Sequence, residues 1–366
     1  MRDNKSQNAA SRSAKSDKNG SFDAKNKVLW SLLFVVIAVL SVWAVVSQTK
    51  NFSFSQFLEF IKNSNPIWLI SAIVSMLGFI VFEGVALVLI CNSFGYKRGM
   101  KHGFIYSAAD IYFSAITPSA TGGQPACAYF MIKDGIPAMF VTVALIGNLL
   151  MYTASIVFLG LFAVLVNLKA FFGFSDLSKV LILAGIIAQF FLLAFFIFLL
   201  LKKGLLHSLC SKVLKFLGKI RIVRNVDKKL KSLEKKMDEY SEHCSLLRGK
   251  GKLLFIVFLF NLLQRIAQTA VTPFTFLASG GEVSKAFDVF VNQIYVLVGA
   301  NCVPIPGAMG VTDYLMLDSF KGLGIGNPEF LELFSRSLSF YMCIIICGLT
   351  VLFSYIATSK VKKTNK

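Results

Sequence analysis

The sequence predicts an all-α polytopic membrane protein with about six full spans. Two re-entrant helical hairpins, entering from opposite faces, complete an inverted-topology repeat. Three observations predict this. The 366-residue chain is 55% hydrophobic, with a mean hydropathy of +0.67, and its apolar residues gather in runs of about twenty, the length that crosses a bilayer as a helix. Two apolar regions are broken by proline and glycine, at Thr117-Pro118-Ser119-Ala120-Thr121-Gly122-Gly123-Gln124-Pro125 and at Pro304-Ile305-Pro306-Gly307-Ala308-Met309-Gly310. The excess of 38 Lys+Arg over 19 Asp+Glu collects between the runs, as it does in cytoplasmic loops. A basic nucleic-acid binder would not carry such uninterrupted apolar runs.

Residues 1–27 are rich in Lys, Asn, Ser and Asp and are expected to be a disordered cytoplasmic tail. Val28–Ser47 is twenty residues without a charge, which at about 1.5 Å per residue covers roughly 30 Å of hydrocarbon. It is too long for a signal-peptide core and lacks an A-x-A-like cleavage site, so it reads as a retained span. Ile67–Ile90 is the second span and contains Glu83. His102–Thr117 is too short to cross and stops at the first broken stretch, and Pro125–Lys133 is the short arm that leaves it. Pro137–Val166 and Lys179–Leu201 are further spans, followed by a polar insert, Lys202–Lys252. Leu253–Ala278 is a span with Arg265 at its centre. Ala286–Val303 leads into the second broken stretch, Val311–Phe320 leaves it, and Leu333–Ala357 is the last span. One membrane domain thus covers 28–357, with a first half at 67–166 and a second at 253–357.

Charge sets the orientation. The 202–252 insert holds fifteen Lys/Arg against five Asp/Glu, a net of +10, and the first tail holds seven against three. Lys97, Arg98 and Lys101 mark another loop, and Lys360, Lys362, Lys363 and Lys366 end the chain. All four fall on one side only if 102–133 dips in and returns from the cytoplasm, and 286–320 does so from outside. A full crossing at 102–133 would put the insert outside, against the positive-inside rule. Both termini are then cytoplasmic, and the expected location is the bacterial cell (inner) membrane. Non-helical backbone at membrane depth must be buried in protein or line a wet cavity, and inverted repeats place such a site near the midplane. Ile111-Tyr112 and Ile294-Tyr295 precede the breaks, and Tyr129 and Tyr314 follow them.

Within the insert, Val226, Leu230, Leu233, Met237, Tyr240, Cys244 and Leu247 recur at alternating spacings of four and three. That is one apolar stripe on a basic helix, predicted to lie on the inner leaflet or against the bundle rather than in a coiled coil. Its lysines each gain about 1 kcal/mol near anionic lipid.

Arg265 is the most informative single residue, because a charge at mid-bilayer costs about 2.5–3.5 kcal/mol even on a lenient scale. It either belongs to a buried ion pair that locks the halves together or meets an anionic head group. Glu83, Asp110, Asp288 and Asp313 are the candidate intramembrane charge partners, with Gln264 and Gln268 beside it. His102, Tyr106, Asp110 and Ser114 form a polar stripe on one hairpin arm, and Asp288, Asn292 and Tyr295 form one on the other. At the first tip, Pro125 is suited to open a helix whose free N–H groups point inward, and Gly122 and Gly123 admit close approach. At the second, Thr312 is placed to cap a helix and Asp313 to sit in its first turn. The expected head-group or anion site is therefore Thr117, Ser119, Thr121, Gly122, Gly123, Gln124, Arg265, Gly307, Gly310 and Thr312. The rival explanation is that these glycines and prolines only permit the turns.

No catalytic residues, metal ligands or cofactors are predicted: no phosphate loop, H-E-x-x-H or G-x-S-x-G occurs. The seven cysteines lack C-x-x-C spacing and read as small buried apolar residues.

The broken stretch Thr117–Pro125, then Tyr129 and Lys133-Asp134-Gly135, and later Pro304–Gly310, resembles the lysylphosphatidylglycerol synthase transmembrane family, the flippase-like part of multiple peptide resistance factors. The resemblance covers roughly residues 28–357. It implies a lipid flippase or translocase handling anionic or aminoacylated phospholipid of the phosphatidylglycerol type. Many members carry an acidic residue in place of Gln124. The synthase members append a soluble domain that charges lipid, which this chain is expected to lack, so lysyltransferase activity is not expected of it. Membrane phospholipid is the expected partner, with a homo-oligomer left open and nucleic acid excluded. Two alternatives stand: a membrane scaffold for a separate synthase or envelope enzyme, and a secondary transporter of a small anion.

Overall fold

The computed structural model describes residues 54–219, 226–301 and 303–364. The expected tail at 1–27 and the span Val28–Ser47 lie outside them. The described chain is helical, without strands. A short α1 (Phe54–Asn63) precedes α2 (Pro66–Ser93). Asn65 starts α2 by accepting the Ile67 N–H at 3.0 Å, and Pro66 supplies the first helical residue. Next come α3 (Met100–Ile116), α4 (Gly123–Lys133), α5 (Ala138–Val166), α6 (Leu168–Phe172) and α7 (Asp176–Leu201). The insert forms α8 (Lys203–Lys219) and α9 (Val226–Arg248). The second half holds α10 (Gly251–Ala278), α11 (Val283–Ala300), α12 (Val311–Gly322), α13 (Pro328–Arg336) and α14 (Cys343–Thr364), the last two joined by a π-helical stretch at Ser337–Met342.

Among the described residues six helical stretches are long and apolar enough to cross a membrane: α2, α5, α7, α10, α11 and Pro328–Ile356. Five of them are expected spans. The other, α11, is the expected descending arm of the second hairpin. Its 18 residues reach about 27 Å at 1.5 Å per residue, so its length alone suits a span or an arm. Helix α7 carries the lipid-facing character furthest. Phe191 is 73% exposed and Val180 61%, an apolar surface that only hydrocarbon would leave without penalty.

Packing repeats between the halves. α2 lies along α10; α3 packs on α2 and on α14, and α11 packs on α10 and on α5. Exchanging the halves maps the contacts of α3 onto those of α11 and returns the α2–α10 contact to itself. Close crossings rest on glycine. A Cβ on Gly103 of α3 would fall 2.6 Å from the Gly84 carbonyl oxygen of α2, and one on Gly185 of α7 would fall 2.2 Å from the Val298 oxygen of α11. Small residues at such contacts are how helices associate in lipid, where dispersion and close backbone approach replace the hydrophobic effect.

The apolar stripe of the insert faces the bundle. Met237, Tyr240, Cys244 and Leu247 are buried against Val143, Ile146, Leu199 and Leu200, and Tyr240 donates its hydroxyl to the Leu199 carbonyl at 2.8 Å. Burial pushes the Tyr240 phenol and the Cys244 thiol up from their ordinary values. Among the described cysteines only Cys210 is partly exposed. A maleimide at neutral pH is therefore expected to modify Cys210 first and Cys244 slowly. Leu247→Asp, which unseats α9, should bring Cys244 close to the Cys210 rate. Equal rates in the unaltered protein would mean that α9 is not docked.

Candidate functional site

The two broken stretches share one backbone conformation. Thr117 and Ile305 are both extended, at φ −113°, ψ 145° and φ −111°, ψ 139°. Each is followed by a proline that opens a single 3-10 turn, Pro118–Ala120 and Pro306–Ala308. The next two residues in each case are left-handed: Ser119 and Ala120 at φ 53°, then Gly307 at φ 59° and Ala308 at φ 49°. The hydrogen bonds match as well. Ala120 donates to the Thr117 carbonyl at 3.2 Å and Ala308 to that of Ile305 at 2.9 Å. Three non-glycine residues in the left-handed region signal local strain held by the surrounding fold. This register sets Tyr112 opposite Ala300, so the pairing of Ile111-Tyr112 with Ile294-Tyr295 is not the structural one. Both turns repeat as Pro-x-Ala, a shorter signal than the tyrosines.

Each turn joins two helices that pack on each other, α3 with α4 and α11 with α12, and the turns meet. Between them lies a cavity of about 500 Å³. Ser119, Ala120 and Gln124 line it from the first hairpin, and Gly307, Ala308 and Thr312 from the second. Glu83, Asp110, Asn148, Gln189, Gln264, Arg265, Gln268 and Arg336 bring polar groups into it from α2, α3, α5, α7, α10 and α13.

Arg265 is 4% exposed. Its guanidinium lies over the rings of Tyr152 and Phe79, 4.4 and 4.9 Å from their centroids, and donates to Gln268 Oε1 at 2.6 Å. Among the described residues no carboxylate oxygen lies within the 4.0 Å of an ion pair with it. The four expected partners are engaged elsewhere. Glu83 accepts from Gln264 Nε2 at 2.9 Å and Ser107 Oγ at 3.2 Å. Asp110 accepts from Gln124 Nε2 at 2.6 Å and Ser114 Oγ at 3.1 Å. Asp288 accepts from Asn167 at 3.0 Å, away from the cavity lining, and Asp313 pairs with Arg336 at 2.8 Å. The buried ion pair considered for Arg265 is thus absent, and the one that Arg336 makes with Asp313 lies within the second half and does not join the halves. Arg336 is 6% exposed, beneath the π-helical stretch, with its guanidinium 4.4 Å from the Phe340 ring centroid. The rule that singled out Arg265, a charge inside an apolar span, applies equally to it. Gln189 was legible by the same rule, as the sole polar side chain between residues 180 and 201.

The tips differ from expectation in detail. Helix α4 opens at Gly123, two residues before Pro125. The Gly122 N–H is taken by Thr117 Oγ1 at 2.9 Å, and that hydroxyl donates to the Phe113 carbonyl at 2.6 Å. Thr121 donates to the Pro118 carbonyl at 3.0 Å. Thr117, Thr121 and Gly122 therefore build the turn and do not line the cavity. A Cβ on Gly123 would sit 2.0 Å from Asp110 Oδ1, so the protein's own carboxylate occupies the helix end expected to hold a ligand anion, where the dipole favours it. At the second tip Gly310, outside the lining, caps α12, and its N–H donates to Asp313 Oδ2 at 3.0 Å. Thr312 lines the cavity but is not the cap; its hydroxyl donates back to the Ala308 carbonyl at 3.0 Å. Of the ten expected anion-site residues, Ser119, Gln124, Arg265, Gly307 and Thr312 converge on the cavity.

The model of the lysylphosphatidylglycerol synthase TM region matches residues 28–347. The chain belongs to that family. It is also 24% identical over 304 residues to the UPF0104 membrane protein MJ1595 of Methanocaldococcus jannaschii, covering 82% of this chain and 87% of that protein. No solved structure matches it.

Proposed function

We propose, from this membership of the lysylphosphatidylglycerol synthase TM region family, that the chain moves an anionic phospholipid between leaflets. The phosphate of a phosphatidylglycerol-type head group enters the cavity and meets Arg265 while the acyl chains stay in the bilayer. The observation that carries this reading is a buried arginine in a polar cavity, bordered by two irregular turns, with no carboxylate in ion-pair range among the described residues. A mid-membrane charge is tolerated where it faces a wet cavity or a counter-charge, and a transient lipid phosphate supplies the second. Helix α7, apolar outside and carrying Gln189 on the cavity, is the boundary along which the chains would travel. Re-entrance of the two hairpins from opposite faces belongs to this proposal, since each half would then expose the cavity to one leaflet.

The test is reconstitution into phosphatidylcholine vesicles carrying head-group-labelled phosphatidylglycerol, followed by quenching from outside. The expected result is quenching beyond the outer-leaflet half, faster than in protein-free vesicles and faster than for labelled phosphatidylcholine. Protein-free kinetics would remove the reading. A second reading, a scaffold for a separate envelope enzyme, is favoured by one feature: Lys212, Lys215 and Lys236 of the insert are exposed. Reversing those three charges should leave lipid movement intact and abolish partner capture if the scaffold is the main role.

A further inference from the structure

The cavity holds more than the cation. Glu83 on α2 and Asp110 on α3 are 5% and 8% exposed and both line it. Among the described residues no cation lies within ion-pair distance of either carboxyl group. Their hydrogen-bond partners, Gln264, Ser107, Gln124 and Ser114, are neutral donors that can serve either protonation state. Around them the cavity is unfinished. Gln264 is 1% exposed and its Oε1 has no partner, and Gln189, at 2%, has neither amide atom paired. The Arg265 Nε is also without a hydrogen bond. Buried polar atoms left open on one cavity are what a site awaiting a polar ligand presents. The other titratable or charged groups near the pair are Arg265 on α10, Tyr152 on α5, Cys127 on α4 and Cys347 on α14, with the Arg336–Asp313 pair beyond.

We propose that the Glu83–Asp110 pair is a proton site, and that a phosphate group at Arg265 and a proton on this pair bind together. This rests on the transport reading. When the guanidinium is engaged by a phosphate, the carboxyl pair loses the nearest positive charge and gains a negative neighbour, and both changes favour protonation. The linkage is reciprocal: the proton raises phosphate affinity as much as the phosphate raises proton affinity. The loaded cavity then carries no added net charge, because the proton cancels the phosphate.

Calorimetric titration tests this on the full chain in phosphatidylcholine nanodiscs, with dihexanoyl phosphatidylglycerol in two buffers of different ionisation enthalpy. The expected result is uptake of about one proton per lipid bound, with affinity rising about tenfold per unit fall in pH within the pair's titration range. Glu83→Gln and Asp110→Asn should each remove the uptake. Lipid binding without proton uptake, or uptake that persists in both variants, overturns the proton site alone. Absence of any binding to the unaltered protein removes the anion site, and the transport reading with it. Inorganic phosphate, run in parallel, identifies the source: uptake with phosphate alone supports the same site serving a soluble anion.

Discussion

Arg265→Ala is expected to return the movement of labelled phosphatidylglycerol to the rate of protein-free vesicles while the folded bundle survives. Truncating one member of a buried charge pair costs about 2–5 kcal/mol, and 1.4 kcal/mol is a factor of ten, so the loss should be roughly 30-fold or more. The fold is spared for a separate reason. Arg265 makes no ion pair with a described carboxylate, and what it loses inside the protein is its stacking on Tyr152 and Phe79 and its bond to Gln268. Cation–π contacts of that kind give about 0.5–2 kcal/mol each, and removing a buried charge offsets part of that loss. Monodispersity in detergent and the thermal melt should therefore stay near those of the unaltered protein. Arg265→Lys keeps the charge but loses the planar fork that stacks between two rings, so an intermediate rate is expected. An unchanged rate in Arg265→Ala would take this residue, and the cavity built around it, out of the mechanism.

What could be read from the sequence followed from solvent. Lipid imposes runs of apolar residues on anything that crosses it, so α2, α5, α7, α10 and the Pro328–Ile356 stretch were visible as runs. The breaks were visible for the same reason, since proline and glycine stand out against such a background. Arg265 was visible because its burial is costly. What stayed hidden depended on which arm meets which. Nothing in the spacing of Asp110 and Gly123 says that a carboxylate of α3 fills the helix end of α4; that follows only once the hairpin closes. Likewise, Asp313 could not be assigned to Arg336 over Arg265 without the tertiary contacts of α12 and α13. The repeat was legible as topology but not in register, because the turns conserve backbone conformation while the flanking side chains differ.

Gly123→Ala should be the most damaging single change in the first hairpin, disrupting the fold and not only the activity. The added Cβ would fall 2.0 Å from both Asp110 Oδ1 and Ser114 Oγ and 2.6 Å from the Asp110 backbone oxygen. The two side-chain atoms could rotate away, but the carbonyl is fixed in α3. The arms must therefore separate, and the 2.6 Å bond from Gln124 to Asp110 goes with them. Overpacking of this kind costs about 3 kcal/mol, to which the unmade hydrogen bond of a buried carboxylate adds 1–3 kcal/mol in rough terms. Gly99→Ala is the matched control: it stands just before α3, and a Cβ there meets nothing within 4 Å. The expected outcome in a detergent melt followed by size-exclusion fluorescence is a large drop in midpoint for Gly123→Ala and almost none for Gly99→Ala. If the two melt together, α3 and α4 do not approach each other at Gly123, and the cavity between the turns has a different wall from the one described.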